Sequence, residues 1–108
     1  MESILTYVKK NIGLGEEPSH FDPDIISDIN TVLATLTQIG VGPVEGFAIS
    51  DSFATWSDFL PEEPKWNFVK TYVYLKVKLI FDPPQAQSLL TAIKEEIAEY
   101  EWRISVMV

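Results

Sequence analysis

Apolar residues recur at helical spacing in four segments of this 108-residue chain. Steps of three and four residues place them on one face of a helix. The segments are 4–12, 24–39, 65–81 and 84–104. A chain of this length forms one domain, so we predict a single domain over 1–108. The predicted fold is mainly α: a small helical bundle built on a C-terminal helical hairpin.

The segment from Lys65 to Phe81 fits two kinds of secondary structure. Its apolar residues cover one broad helical arc, yet those of 71–81 also alternate as in a strand and are rich in β-branched and aromatic types. The pattern is longer than most strands and begins after Pro64, where helices often begin. We therefore predict a helix, paired with 84–104 in the hairpin.

Polar residues at the segment boundaries predict where helices begin and end. Ser3 is expected to cap the first helix, and Gly13 to end it. The tripeptide Phe-Asp-Pro occurs twice, and each time its aspartate, Asp22 or Asp82, precedes a proline suited to a first helical turn. Gln85 stands three residues after Asp82, as a capping box requires. We expect both aspartates to be N-caps.

The hairpin carries lysines on its first segment and glutamates on its second. Folding back through residue 82 predicts that Lys70 lies level with Glu96 and Lys65 near Glu101. Exposed pairs of this kind contribute only about 0.2–1 kcal/mol each, so they select register more than they stabilise. Lys76 projects into the apolar arc. It either lays its stem along the core with the ammonium in water, or pairs with an acid of a neighbouring subunit.

The connection 44–64 is long and irregular, with a run around Phe47 that is compatible with a short strand. Residues 55–60 fit one helical turn. Two alternatives are open for the aromatic side chains of this connection: they either fill the core beneath their own loop or contact a partner protein. These residues are Phe47, Phe53, Trp56 and Phe59.

Two other stretches suggest contacts beyond the chain. The polar face of 24–39 is almost uncharged and poor in strong helix formers, so either solvent or another surface lies against it. The C-terminal residues are apolar and either complete the core or dock on another subunit or protein. These candidates are Trp102, Ile104, Val106, Met107 and Val108.

Composition narrows the function classes. Sixteen acids against eight bases give a net charge of −8, which repels nucleic-acid phosphates and anionic membranes. Without cysteine no disulfide forms, which suits a reducing cytoplasm. No segment has the apolar length of a membrane span or a signal peptide, so we expect a soluble intracellular protein.

Candidate chemistry is sparse. His20, Asp22 and Asp24 alternate as potential metal ligands, but capping and the helix dipole account for both aspartates more simply. A glutamate-rich helix is more often a solvated face than a catalytic carboxylate pair. With one histidine and no phosphate-binding loop, we predict neither an enzyme nor a cofactor or metal site.

Several segments together resemble the head-tail connectors of tailed bacteriophages and prophages, of the adaptor type found directly beneath the portal. They are Ile-Leu-Thr-Tyr-Val-Lys-Lys before Gly13, the helix from Phe21 to Gly40, the run 69–77 and Phe-Asp-Pro-Pro at 81–84. The resemblance covers nearly the whole chain. It depends on helix order and apolar positions, and no catalytic signature is involved.

The resemblance implies a non-enzymatic neck protein of the virion, assembled in the host cytoplasm. Such adaptors form a ring of about a dozen copies on the portal, contact a stopper or tail-completion protein, and leave a channel through which DNA passes without specific binding. The competing interpretation is a monomeric acidic protein that inhibits an enzyme or mimics DNA. A mimic should spread its carboxylates over one face at phosphate spacing, and here lysines and aromatics interrupt them.

Overall fold

The computed structural model describes residues 2–108 and confirms a mainly α architecture. The helices are α1 (Ile4–Asn11), α2 (Asp22–Ile39), the single turn α3 (Trp56–Phe59), α4 (Asn67–Phe81) and α5 (Gln87–Met107), with a 3₁₀ turn at Pro64–Trp66 before α4. The predicted helix over 65–81 is therefore confirmed.

Helix α4 is the centre of the bundle. It packs against α1, α2 and α5, and buries an almost continuous apolar surface: Val69, Tyr72, Val73, Leu75 and Val77. Contact on several sides explains why its apolar arc is so broad. By contrast, α5 buries only Ile93, Ile97 and Ile104, so it is an edge helix with one face in solvent.

The ends of the helices meet in two groups. The rings of Phe21 and Phe81 lie 5.6 Å apart, so α2 begins where α4 ends. At the other end, a Cβ placed on Gly40 would lie 3.5 Å from Cγ2 of Val108, so α2 and α5 end side by side. We call these the Phe21 end and the Val108 end of the bundle.

The first helix begins as predicted, since Ser3 Oγ accepts a hydrogen bond from the Thr6 amide. The N-cap prediction for Asp22 is wrong: α2 starts at Asp22 itself, after Phe21 in helical conformation, and has no side-chain cap. The carboxylate of Asp22 instead turns to the ammonium of Lys9, 3.0 Å away. An ion pair between two helices has displaced a local cap, although Pro23 does occupy the first turn as expected.

The N-cap prediction for Asp82 is also wrong. Asp82 ends α4, its carboxylate lies 3.8 Å from Lys78 Nζ, and α5 begins only at Gln87. Each proline disfavours helical backbone in the residue before it, so the Pro83-Pro84 pair keeps this connection extended. Gln85 consequently precedes the helix and completes no capping box.

This later start changes the register of the hairpin, and the predicted pairs are wrong. Lys70 lies over the ring of Trp56, with 5.9 Å from Nζ to the ring centroid. Lys65 approaches Glu63 at 3.9 Å. Glu101 instead contacts Lys76, with 3.6 Å between Nζ and Oε2.

The irregular connection forms no strand within the described residues 2–108; one isolated bridge joins Ser3 to Thr55. The side-chain amide of Asn30 on α2 replaces strand pairing, donating to the Ile49 carbonyl at 2.9 Å and accepting from the Ile49 amide at 2.8 Å. The expected helical turn is present as α3. The connection is therefore held against α2. Part of the uncharged face of that helix, at Asn30, contacts this loop of the same chain.

Candidate protein interface

Three of the ten candidate interface residues lie in the core. Trp56, Phe59 and Ile104 are at most 4 % exposed. The ring of Trp56 meets Tyr7 edge-on at 5.4 Å between centroids, and Phe59 lies beneath the loop against Phe47 at 5.3 Å. These side chains fill the molecule's own interior, so they offer no surface to a partner in this conformation.

Phe47 and Lys76 are intermediate cases. One side of the Phe47 ring packs on Phe59, and the rest remains accessible. Lys76 shares the carboxylate of Glu101 with the hydroxyl of Tyr72, which donates a hydrogen bond of 2.8 Å. Burial of Tyr72 and, to a smaller extent, the hydrogen bond to the Glu101 carboxylate raise the pKa of its hydroxyl, which therefore stays protonated and donates. Lys76 thus has an acid partner within its own chain.

The remaining candidates are exposed or partly exposed. Phe53 is 83 % exposed at the tip of the connection, and Trp102 is 66 % exposed on the outer face of α5. Val106 and Val108 follow at the Val108 end, with Met107 partly covered between them. A contact with another protein would remove this apolar surface from water at roughly 25 cal/mol per Å².

Sequence reasoning missed four exposed apolar residues, which belong to the two ends of the bundle. Val44, 96 % exposed, follows α2 at the Val108 end. Phe21, Ile80 and Leu89 lie where α2 begins, α4 ends and α5 begins. The repeated Phe-Asp-Pro tripeptide was a signal for this second group, since helix packing brings its two phenylalanines together.

Ion pairing leaves the surface acidic. Within residues 2–108, five of the eight basic side chains are paired with acids of the same chain. The most enclosed is Lys9, 2 % exposed, whose ammonium also donates to the Glu17 carbonyl. Burial alone would raise the pKa of Asp22, but hydrogen bonds from Lys9 and Ser19 outweigh it and lower that pKa.

Chemistry of other kinds is scarce in the described part of the chain. Across residues 2–108, no three His, Asp or Glu side chains come together as metal ligands. The ring of His20 lies against that of Phe21, with 4.0 Å between centroids and a tilt of 39°, and Asp22 is paired with Lys9. None of the helices described is long and apolar enough to cross a bilayer.

The geometry defines a small helical protein whose accessible features are apolar patches on an acidic surface. Residues 4–108 match the family described as phage connector protein, and the chain belongs to that family. No curated protein and no solved structure gives a match. Membership confirms the predicted resemblance and supports a structural role in the phage neck, as a virion component that contacts other head or tail proteins.

Proposed function

We propose that the chain is the adaptor of a phage neck, forming a ring of about a dozen copies between the portal and the stopper or tail-completion protein. The observation that carries this proposal is the family match over residues 4–108, on a bundle with exposed apolar side chains at both ends. An adaptor needs two such surfaces, because it joins a partner above to a partner below.

The Val108 end is the proposed portal contact. It combines the tip of α5 with Val44, and the helix termini of α2 and α5 lie side by side there. The Phe21 end is then the contact for the stopper or tail. Aromatic and aliphatic anchors of this kind form the buried centres of protein interfaces.

The charge distribution suits a ring around DNA. Within residues 2–108, five of the eight lysine and arginine side chains pair with acids of the same chain, so the surplus carboxylates dominate the surface. A channel lined by such a surface repels phosphates and lets DNA pass without retaining it. The adaptor itself performs no chemistry in this account.

A cut after Ser105 tests the proposed portal contact. It removes Val106, Met107 and Val108 and retains the buried Ile104. We expect an unchanged circular dichroism spectrum and loss of portal binding in pull-down. The matched control is Leu89→Ser at the other end, which should retain the portal and weaken the stopper contact.

Either of two results contradicts this assignment. One is a truncated protein that still binds the portal as wild type does. The other is a wild-type chain that binds neither portal nor stopper, which would favour the monomeric acidic inhibitor instead.

A further inference from the structure

Helix α5 joins the bundle by packing on α4, whereas α1, α2 and α4 all pack against one another. The side chains that α5 buries are Ile93, Ile97 and Ile104. At its end, Val108 lies beside Gly40 of the α2 terminus. The other three helices would therefore keep their mutual contacts if α5 left its place.

The polar and aromatic contacts of α5 with the bundle also lie on α4. Glu101 accepts a hydrogen bond of 2.8 Å from the Tyr72 hydroxyl and lies 3.6 Å from the Lys76 ammonium. The ring of Tyr100 lies 5.9 Å from that of Phe68 between centroids. The α5 of another copy has the same sequence, so it can make the same contacts on this α4 with the same fit of shape and charge.

The chain between α4 and the buried part of α5 is accessible. No residue from 82 to 92 is buried, and the first buried side chain of α5 is Ile93. The Pro83-Pro84 pair keeps the connection 82–86 extended, so it spans about 17 Å. The stretch 87–92 of the helix adds about 9 Å. The molecule measures 22 Å along its shortest dimension, so α5 is long enough to reach the α4 of an adjacent copy.

We propose that α5 is exchanged between neighbouring copies of the ring, so that α5 of each copy packs on α4 of the next; this inference rests on the proposed adaptor function. Lys76 then pairs with Glu101 of the neighbouring copy, the second of the two alternatives that the sequence leaves open for this lysine. Such domain swapping costs little free energy, because the contacts between α4 and α5 are remade.

The exchanged helix gives the contact the symmetry that a ring needs. Each copy provides one α5 and receives another on its α4, so the two sides of the contact are different surfaces. A heterologous contact of this kind generates a closed ring when the rotation between neighbours closes. A reciprocal exchange between two copies would stop at a dimer.

The short connection explains why a free copy keeps its own α5. A tethered helix has an effective concentration of about millimolar at its own α4, well above the concentration of other copies in a dilute solution. The portal removes this difference when it places copies side by side. We therefore expect the helix exchange to accompany loading on the portal.

Cysteine crosslinking tests the helix exchange, since the wild-type chain contains no cysteine. Lys76→Cys and Glu101→Cys are made as separate chains and as one double variant. A short bismaleimide joins the sulfurs, because the shorter side chains need not meet the strict geometry of a disulfide. The chains are loaded on the portal, treated and analysed by denaturing electrophoresis. In the matched control, Ala92→Cys on the exposed part of α5 replaces Glu101→Cys.

Free in solution, the double variant should be linked within one chain, which shows that the reagent spans the contact. On the portal, the same variant should give a ladder of linked copies. The mixture of single variants should give dimers at least tenfold above either variant alone and above the control with Ala92→Cys. An equal yield in that control, or a double variant that is linked only within its own chain on the portal, overturns the proposal.

The loading of wild type separates this inference from the adaptor function. If wild-type copies load and no product joins two chains, each α5 stays on its own α4 and only the inference fails. If wild type never loads in several copies, the proposed function fails as well. Should Lys76→Cys or Glu101→Cys itself prevent loading, Phe68→Cys and Tyr100→Cys test the same contact, and the absence of linked dimers is then decisive.

Discussion

Replacing Gly42 by alanine tests how the connection is folded over the core. Gly42 has φ of +86°, a region that L-residues rarely adopt, and an added Cβ would lie 2.4 Å from Cε1 of Phe59. The positive φ costs an alanine roughly 1–2 kcal/mol. The collision with the packed Phe59 ring adds about 1–3 kcal/mol, because the ring must leave its place in the core.

We therefore expect Gly42→Ala to lower the free energy of unfolding by about 2–5 kcal/mol, a large part of a typical 5–15 kcal/mol. Gly46→Ala is the matched control: its φ is +97°, but nothing lies within 4 Å of the added Cβ. It should lose only the roughly 1–2 kcal/mol of backbone strain. Urea unfolding followed by tryptophan fluorescence measures both values.

A double-mutant cycle identifies the cause. In a Phe59→Leu background the collision is reduced, so the further effect of Gly42→Ala should fall toward that of Gly46→Ala, with a coupling of roughly 1–3 kcal/mol. Equal losses for the two glycine variants, or no coupling to Phe59, would refute this account of the loop.

Three further predictions concern two polar contacts and the exposed side chain of Trp102. Asp22→Asn should lower stability by roughly 1–3 kcal/mol, because it leaves the buried Lys9 ammonium without a charged partner. The lowered pKa of Asp22 stabilises the fold above the ordinary value of 3.8, and this part is lost as pH falls through the lower folded pKa; the difference from wild type should shrink there in acid unfolding curves. Asn30→Ala should lower the free energy of unfolding by about 1–3 kcal/mol and speed hydrogen exchange at the Ile49 amide, while unchanged exchange would show that Asn30 does not hold the loop. Trp102→Ala should change stability by less than about 0.5 kcal/mol, and a larger loss in thermal unfolding would place this side chain in the core.

The helices could be predicted because their apolar periodicity depends on local sequence alone. The positions of Ser3 and Gly40 as boundaries follow from the same local rules. The two N-cap predictions failed for different reasons. The Asp82 prediction failed because Pro83 and Pro84 keep the connection extended, whereas Asp22 had a charged group of another helix within reach. Lys9 was such a competitor for Asp22: it stands four residues after Leu5 and three before Ile12, beside the apolar face of α1, whereas Lys10 lies on another side of the helix. Spacing within α1 alone does not identify the acid that pairs with Lys9.

The candidate interface was harder to predict, because burial of the loop aromatics depends on the path of the chain. Trp56 and Phe59 are core residues, whereas Phe53 close by is exposed. The position of the connection against α2 depends on a contact between Asn30 and Ile49, nineteen residues apart. Periodicity carries no information about contacts at that separation. The exposure of Trp102, in contrast, follows from helical spacing, because Trp102 lies outside the face of α5 that buries Ile93, Ile97 and Ile104.

The most direct test of the central claim is the mass of the purified 12.2 kDa chain, alone and mixed with the portal of the same phage, by light scattering after size exclusion. The adaptor account predicts that the mixture elutes as one complex, in which about a dozen copies add roughly 150 kDa to the portal. Separate elution of the portal and a monomeric chain, at concentrations well above micromolar, would contradict it.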